Sequence, residues 1–151
     1  MAKEPVRLNK ALSRAREVAA QLGPATDRLN TLIQAVETAI AELQLGVTAC
    51  VRMNPDDPNW AHLLTFGKFS NDWQLLIESG PDGGDREDWS ATPLRNMSRE
   101  LRLQAVDLIP ELIEKLIEEA ASQVKAVQAK ATQVENILAE LKGTEDNEFL
   151  F

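Results

Sequence analysis

Three arginines at positions 95, 99 and 102 are the strongest candidates for chemistry in this chain. Arg95, Arg99 and Arg102 are spaced by four and three residues. In an α-helix this spacing places all three side chains on one face. Guanidinium groups aligned in this way can bind a phosphate or carboxylate through paired hydrogen bonds. Thr92 with Pro93 could start this helix, and Asn96 or Ser98 offers a second possible start. Free backbone amides at the helix start could complete an anion site there.

A second interpretation of the arginine row requires no ligand. The first turns of a helix favour negative charge, so three arginines there cost stability unless another group compensates. Acidic side chains of the same chain could pair with them; the candidates are Asp82, Asp85, Glu87, Asp88 and Glu100. The sequence leaves both an ion-paired structural cluster and an anion site open.

Other chemistry has little support in the sequence. His62 and Cys50 are the only histidine and cysteine. The two could approach each other if their strands pair, but a Cys/His dyad also needs an orienting group and an oxyanion site. The acidic loop of residues 80–91 lacks the lysine of a phosphate-binding loop and the ligand order of an EF-hand. We therefore expect no catalysis, no bound metal and no cofactor.

Two stretches at the ends of the chain carry a hydrophobic repeat with alternating spacings of three and four residues. Such a repeat predicts long helices that pack along partner helices. The first stretch comprises Leu8, Ala11, Ala15, Val18, Leu22, Ala25, Leu29, Leu32, Val36, Ala39 and Leu43; the second comprises Ile113, Ile117, Ala120, Val124, Val127, Ala131, Val134, Leu138 and Leu141.

Breaks and charges within these stretches suggest how they are arranged. Gly23 and Pro24 interrupt the first one, which predicts either a kinked helix or a helical hairpin. Pro110 predicts a similar break, where a short helix closes or kinks into the long one. Residues 1–16 hold five basic side chains and one acidic, whereas residues 135–151 hold five acidic and one basic. This asymmetry predicts antiparallel pairing of the two helical arms, within one chain or between two chains.

The segment between the arms has the period of β-strands. After Gly46 the apolar residues alternate over 47–53, and two further strands are predicted at 60–69 and 73–78. Short turns between them predict a three-stranded antiparallel meander with one face covered by the helices. Trp60, Leu64, Phe66 and Leu76 are assigned partly to the second face, where a partner could dock. Alternatively, helices or irregular chain cover that face.

Together these patterns predict an α+β fold in the order α-βββ-α, with long heptad-patterned antiparallel helices. We expect one domain over residues 1–151: a helical arm at 1–44, the meander at 46–79, the acidic loop at 80–91, a second arm at 92–143 and a tail at 144–151. In layout alone, two helical arms around β-hairpins resemble prefoldin-like chaperone subunits.

The tail is acidic and then strongly apolar, ending in Phe149, Leu150 and Phe151. Peptides of this kind dock in grooves on partner proteins. Folding back onto the basic end of the first helix is the alternative.

Composition limits the function classes. The 151 residues carry a formal net charge of -8, which argues against direct binding to nucleic acid or to anionic membranes. One cysteine excludes an internal disulfide framework, and no long apolar run predicts a membrane span, so a cytoplasmic location is expected.

We expect a noncatalytic module for protein–protein interaction or assembly, such as an adaptor, a chaperone-like protein or a regulatory subunit. Its partner is another protein, including a second copy of itself. The alternatives are a regulatory domain that binds an anionic ligand or phosphopeptide through Arg95, Arg99 and Arg102, and an acidic inhibitor that mimics nucleic acid.

Overall fold

The structure is a computed structural model that describes the backbone of residues 3–148 and the side chains of residues 7–144. It has an α+β fold with two long helices and a four-stranded antiparallel sheet. Helix α1 spans Lys3–Glu42 and helix α2 spans Arg99–Glu148; strands β1 to β4 span Ala49–Arg52, Trp60–Phe69, Asp72–Pro81 and Ser90–Pro93. Short 3-10 turns occupy Arg86–Asp88 and Leu94–Asn96.

The sheet has one strand more than the three-stranded meander predicted from the sequence. Its strand order is β1-β2-β3-β4, and β4 pairs antiparallel with β3, Thr92 lying opposite Ile77. The sequence prediction was wrong here because a four-residue strand is too short to show alternation, and Thr92 with Pro93 has the chemistry of a helix start. Proline is tolerated in β4 because this strand lies at the edge of the sheet.

Both helices continue through their internal prolines. Helix α1 includes Pro24, so the hairpin alternative is not formed, and α2 includes Pro110. Helix α2 begins at Arg99, where Ser98 Oγ accepts a hydrogen bond from the Leu101 amide at 3.3 Å. A serine at this position replaces the helical acceptor that the first amides lack.

One face of the sheet and one row from each helix form the core. The sheet contributes mainly aliphatic side chains from its two long central strands, and Phe66 stacks on Trp73 with ring centroids 5.6 Å apart. The buried core residues are Ile33, Ile40, Val51, Leu64, Phe66, Leu75, Ile77, Leu94, Ala105, Leu112 and Leu116. Because residues from both helices belong to this cluster, both helices lie on the same face of the sheet.

The two helices run in the same direction on the sheet. Near their first packed turns, Arg102 of α2 donates a hydrogen bond to Asn30 of α1. Farther along both helices, Ile40 and Leu116 line the same small cavity. Contacts therefore advance together along α1 and α2. The predicted antiparallel pairing of the helices within one chain is therefore wrong, because the two helices run in the same direction.

The parallel arrangement sends the two helical arms away from opposite ends of the sheet. We define arm 1 as residues 7–25 of α1, which precede the packed part, and arm 2 as residues 121–144 of α2, which follow it. Every side chain in both arms is exposed. The arms therefore cannot pair with each other within the chain.

An aromatic side chain closes one end of the other sheet face. Trp89 lies directly against Gly80 of β3: a Cβ atom added at Gly80 would lie 2.4 to 2.6 Å from three Trp89 ring atoms. The indole can occupy this position only because residue 80 has no side chain.

Gly80→Ala should therefore destabilise the fold by about 1–3 kcal/mol, because the added methyl group forces Trp89 away from the sheet. Gly67→Ala is the matched control on the same sheet, where the nearest atom, Thr48 Cγ2, would lie 3.3 Å from the added Cβ. Urea unfolding monitored by tryptophan fluorescence measures both variants. Equal stability of the two would contradict the assigned contact.

Candidate interaction site

The structure separates the three arginines of the predicted row. Arg95 lies in the 3-10 turn before α2, and its Nε is 3.5 Å from Glu37 Oε2. Arg102 is buried and contacts Asn30, whereas Arg99 is exposed at the start of α2. Two of the three guanidinium groups therefore contact α1, and the row does not form one helical face.

The partner of Arg95 is a buried carboxylate. Glu37 is only 4% exposed, and its Oε1 accepts a hydrogen bond from the Leu75 amide at 3.4 Å. Burial raises the pKa of Glu37, while the Arg95 charge and the Leu75 hydrogen bond oppose that rise. Strand β4 ends at Pro93, opposite Leu76, so the Leu75 amide of β3 lies beyond it and hydrogen-bonds the Glu37 carboxylate instead. We call Glu37 with Arg95 and the Leu75 amide the Glu37 cluster; it links α1 to the sheet.

The sequence analysis missed Glu37 and Asn30 as partners of the arginines. A signal for Glu37 was present, because it lies four residues after Ile33 and three before Ile40, within the row that became core. None of the acidic loop residues proposed as partners contacts the arginine row in the described structure. Asp82 instead forms an ion pair with Arg52 at 2.8 Å.

Cys50 and His62 do not form a dyad. Cys50 lies opposite Thr65 and points to one face of the sheet. His62 is hydrogen-bonded to Met53, and both point to the other face. His62 Nδ1 lies 2.6 Å from Ser79 Oγ, which satisfies the imidazole within the sheet. Among the described residues, no group of three or more His, Cys, Asp or Glu side chains is placed to hold a metal ion.

The aromatic residues proposed for docking occupy different environments. Phe66 is 3% exposed beneath the helices, and Leu64 is buried beside it, so neither belongs to the open sheet face. Trp60 is 44% exposed at the start of β2. Leu76 does lie on the second face, opposite Thr65. Phe149, Leu150 and Phe151 lie outside the described residues.

Over the part of the chain that the structure describes, neither α1 nor α2 covers the second sheet face. A shallow depression of about 360 Å³ runs across it, between Cys50, Leu63 and Leu76, with Arg86 at its rim. Thr65 Oγ1 is buried there without a hydrogen-bond partner. Its lining mixes small, polar and apolar groups, so this face is less uniformly apolar than the helices described next.

Most of the exposed large hydrophobic side chains among the described residues lie on or next to the helices. We call the exposed rows with alternating spacings of three and four residues seam 1 on α1 and seam 2 on α2. Their large exposed side chains are Leu8, Val18, Leu22, Leu32 and Leu43 in seam 1, and Ile117, Val124, Val127, Val134, Leu138 and Leu141 in seam 2. Leu12 and Ile137 flank the two rows and are also exposed.

Seam 2 begins earlier than the sequence analysis proposed. The alternating spacing of three and four residues continues back from Ile113 through Pro110, Val106 and Leu103. Leu103 is 55% exposed. The core uses a neighbouring row of the same helix, which includes Ala105, Leu112 and Leu116. The spacing was visible in the sequence, but Pro110 was taken as a break. Seam 2 therefore runs along almost the whole of α2.

Comparisons with models of protein families, with curated proteins and with solved structures give no match for this chain. Neither helix, over its described length, is long and apolar enough to cross a membrane. Function is therefore inferred from the chain's own surfaces, on which the two seams hold most of the exposed large hydrophobic side chains.

The Glu37 cluster predicts how stability depends on pH. A carboxyl whose pKa is raised on folding binds protons more readily in the folded state, so the free energy of unfolding falls as pH rises above the ordinary Glu value of 4.5. Glu37→Gln keeps an acceptor for the Leu75 amide but cannot ionise. Between about pH 4 and pH 8, its stability should therefore fall less than that of the wild type.

Arg95→Gln is the complementary variant for the same measurement. It removes the positive charge that opposes the rise in the Glu37 pKa, so stability should fall over a wider pH range than in the wild type. Chemical unfolding at a series of pH values measures all three proteins. Parallel profiles for the wild type and Glu37→Gln would contradict the assignment.

Proposed function

We propose that this protein is a noncatalytic assembly module that acts through pairing of its helical arms with helices of a partner protein. The observation that carries the proposal is the pair of seams, whose side chains are all exposed along arm 1 and arm 2. Full burial of one valine or leucine side chain contributes about 1.5–3 kcal/mol. Contact along a seam would remove several such side chains from water.

The spacing within the seams supports a helical partner. Alternation of three and four residues keeps apolar side chains along one side of a supercoiled helix pair. Small residues, including Ala15 in seam 1 and Ala131 in seam 2, alternate with larger ones. Small side chains let a second backbone approach closely. A globular ligand would not require so regular a row.

The arms are also suited to contact because they extend beyond the folded part. Arm 2 alone contains 24 residues, all exposed, and a helix rises about 1.5 Å per residue. A single exposed helix gains little stability by itself in water. A partner helix would stabilise the arm and cover its apolar side chains at the same time.

The anion-binding alternative has weaker support. Arg95 and Arg102 are held by Glu37 and Asn30, which leaves Arg99 as the freely exposed member of the row. One exposed arginine does not offer the aligned guanidinium groups on which that alternative depends. The arginines support a structural role in docking α1.

Charge placed in seam 2 should abolish partner binding. In Val127→Glu/Val134→Glu, two carboxylates would have to be desolvated on contact, which costs several kcal/mol per charge. Affinity capture with the tagged full-length chain, followed by mass spectrometry, should show loss of the proteins retained by the wild type, including any untagged copy of the chain. Circular dichroism checks that the sheet and helices are still formed.

The matched control is Ala129→Glu/Asn136→Glu. It adds the same charge at the same seven-residue spacing, but on the side of α2 that faces away from seam 2. It should retain the wild-type partners. The proposal fails if both double variants capture the same proteins as the wild type.

A further inference from the structure

The structure presents two seams on one chain, and their geometry constrains what can cover them. The arms leave opposite ends of the sheet, so seam 1 cannot reach seam 2 of the same chain. Each seam also continues beyond its arm over the sheet: Leu32 in seam 1 and Ile117 in seam 2 are 52% and 54% exposed. Over the sheet the seams are less open than on the arms, because Leu29, Val36 and Ile113 of the same rows are partly buried against the core.

We infer that the partner is a second copy of this chain, related by a two-fold axis perpendicular to the helices. This inference rests on the proposed function, since it names the partner of the same seams. Rotation by half a turn reverses the direction of the helices. Because α1 and α2 are parallel within a chain, α1 of one copy then lies antiparallel to α2 of the other, at both ends of the dimer.

Charge supports this pairing. Residues 3–16 hold five basic side chains and one acidic, and residues 135–148 hold five acidic and one basic. Antiparallel α1–α2 contact between copies places the basic end of each arm 1 beside the acidic end of the partner's arm 2. If arm 2 of one copy instead lay antiparallel to arm 2 of the other, the basic segment would take no part in the contact.

The spacing of the two seams supports one continuous register. Running antiparallel along the arms, the repeat of seam 1 meets that of seam 2 layer by layer. The paired layers include Leu8 with Leu141, Ala15 with Val134, Val18 with Ala131 and Leu22 with Val127. Small residues in several layers face larger ones, which allows close packing.

The two-fold arrangement gives every arm a partner. At each end of the dimer, arm 2 of one copy lies beside arm 1 of the other, in the opposite direction. Each copy contributes both of its seams to the same partner, so association closes as a dimer.

Cross-linking between chains tests the register. In a Cys50→Ser background, one chain carries Ala15→Cys and the other carries Val134→Cys. The two are refolded together and treated with a short bifunctional thiol reagent. We expect a covalent heterodimer at several times the yield of either variant alone. Ser13→Cys, which points away from seam 1, replaces Ala15→Cys in the control and should give only background cross-linking.

Sedimentation of the wild-type chain accompanies the cross-linking, and twice the chain mass is expected. Efficient cross-linking of Val134→Cys with Ala131→Cys instead would indicate contact between two copies of arm 2 and would overturn the inference. A strictly monomeric wild type would overturn it as well. If that monomer still captures another protein through seam 2, and Val127→Glu/Val134→Glu abolishes the capture, the proposed function stands with a different partner.

Discussion

Each long helix of this protein has two apolar rows, and the small sheet can cover only one of them. On α1, Ile33 and Ile40 face the sheet while Leu32 and Leu43 face outward; on α2, Leu112 and Leu116 are buried while Leu103 and Ile117 are exposed. The whole arrangement depends on this constraint. The inner rows and the sheet fix the fold of one chain, and the outer rows, which extend along both arms, remain available for contact. An apolar surface of this length is typical of a protein interface.

A buried polar cluster determines where the first helix is placed. Glu37 joins α1 to the Leu75 amide and to Arg95, and Arg102 reaches Asn30. Such groups are costly to bury and are favourable only when their partners are in position. They therefore favour one placement of α1 on β3 over neighbouring ones, where aliphatic rows alone would pack almost equally well. The direction in which arm 1 leaves the sheet follows from that placement.

Local patterns in the sequence predicted local structure well and chain direction poorly. Alternation over β2 and β3, and the long repeats of the helices, identified two helices and the central strands. Strand β4 was missed because four residues carry no period, and Thr92 with Pro93 imitates a helix start. The charges at the chain ends suggested antiparallel arms within the chain, but the direction of a helix on a sheet depends on packing that the sequence does not display. Equally, the spacing of Arg95, Arg99 and Arg102 suggested one site, whereas Arg95 lies in a separate 3-10 turn.

In the proposed assembly, the parallel direction of the two helices is the reason that pairing occurs between molecules. Antiparallel helices within one chain would let opposite charges and apolar seams meet internally, leaving no surface for a partner. Parallel helices carry arm 1 and arm 2 to opposite ends of the sheet, so the two arms cannot cover each other. The proposed two-fold related copy would supply a partner for each arm, in the reversed direction that complementary charge favours. The net charge of -8 per chain opposes association of identical copies. Because the basic segment of each α1 would lie beside the acidic segment of the partner's α2, the net charges of the two segments attract, and the remaining repulsion is spread over more distant surfaces, where salt screens it.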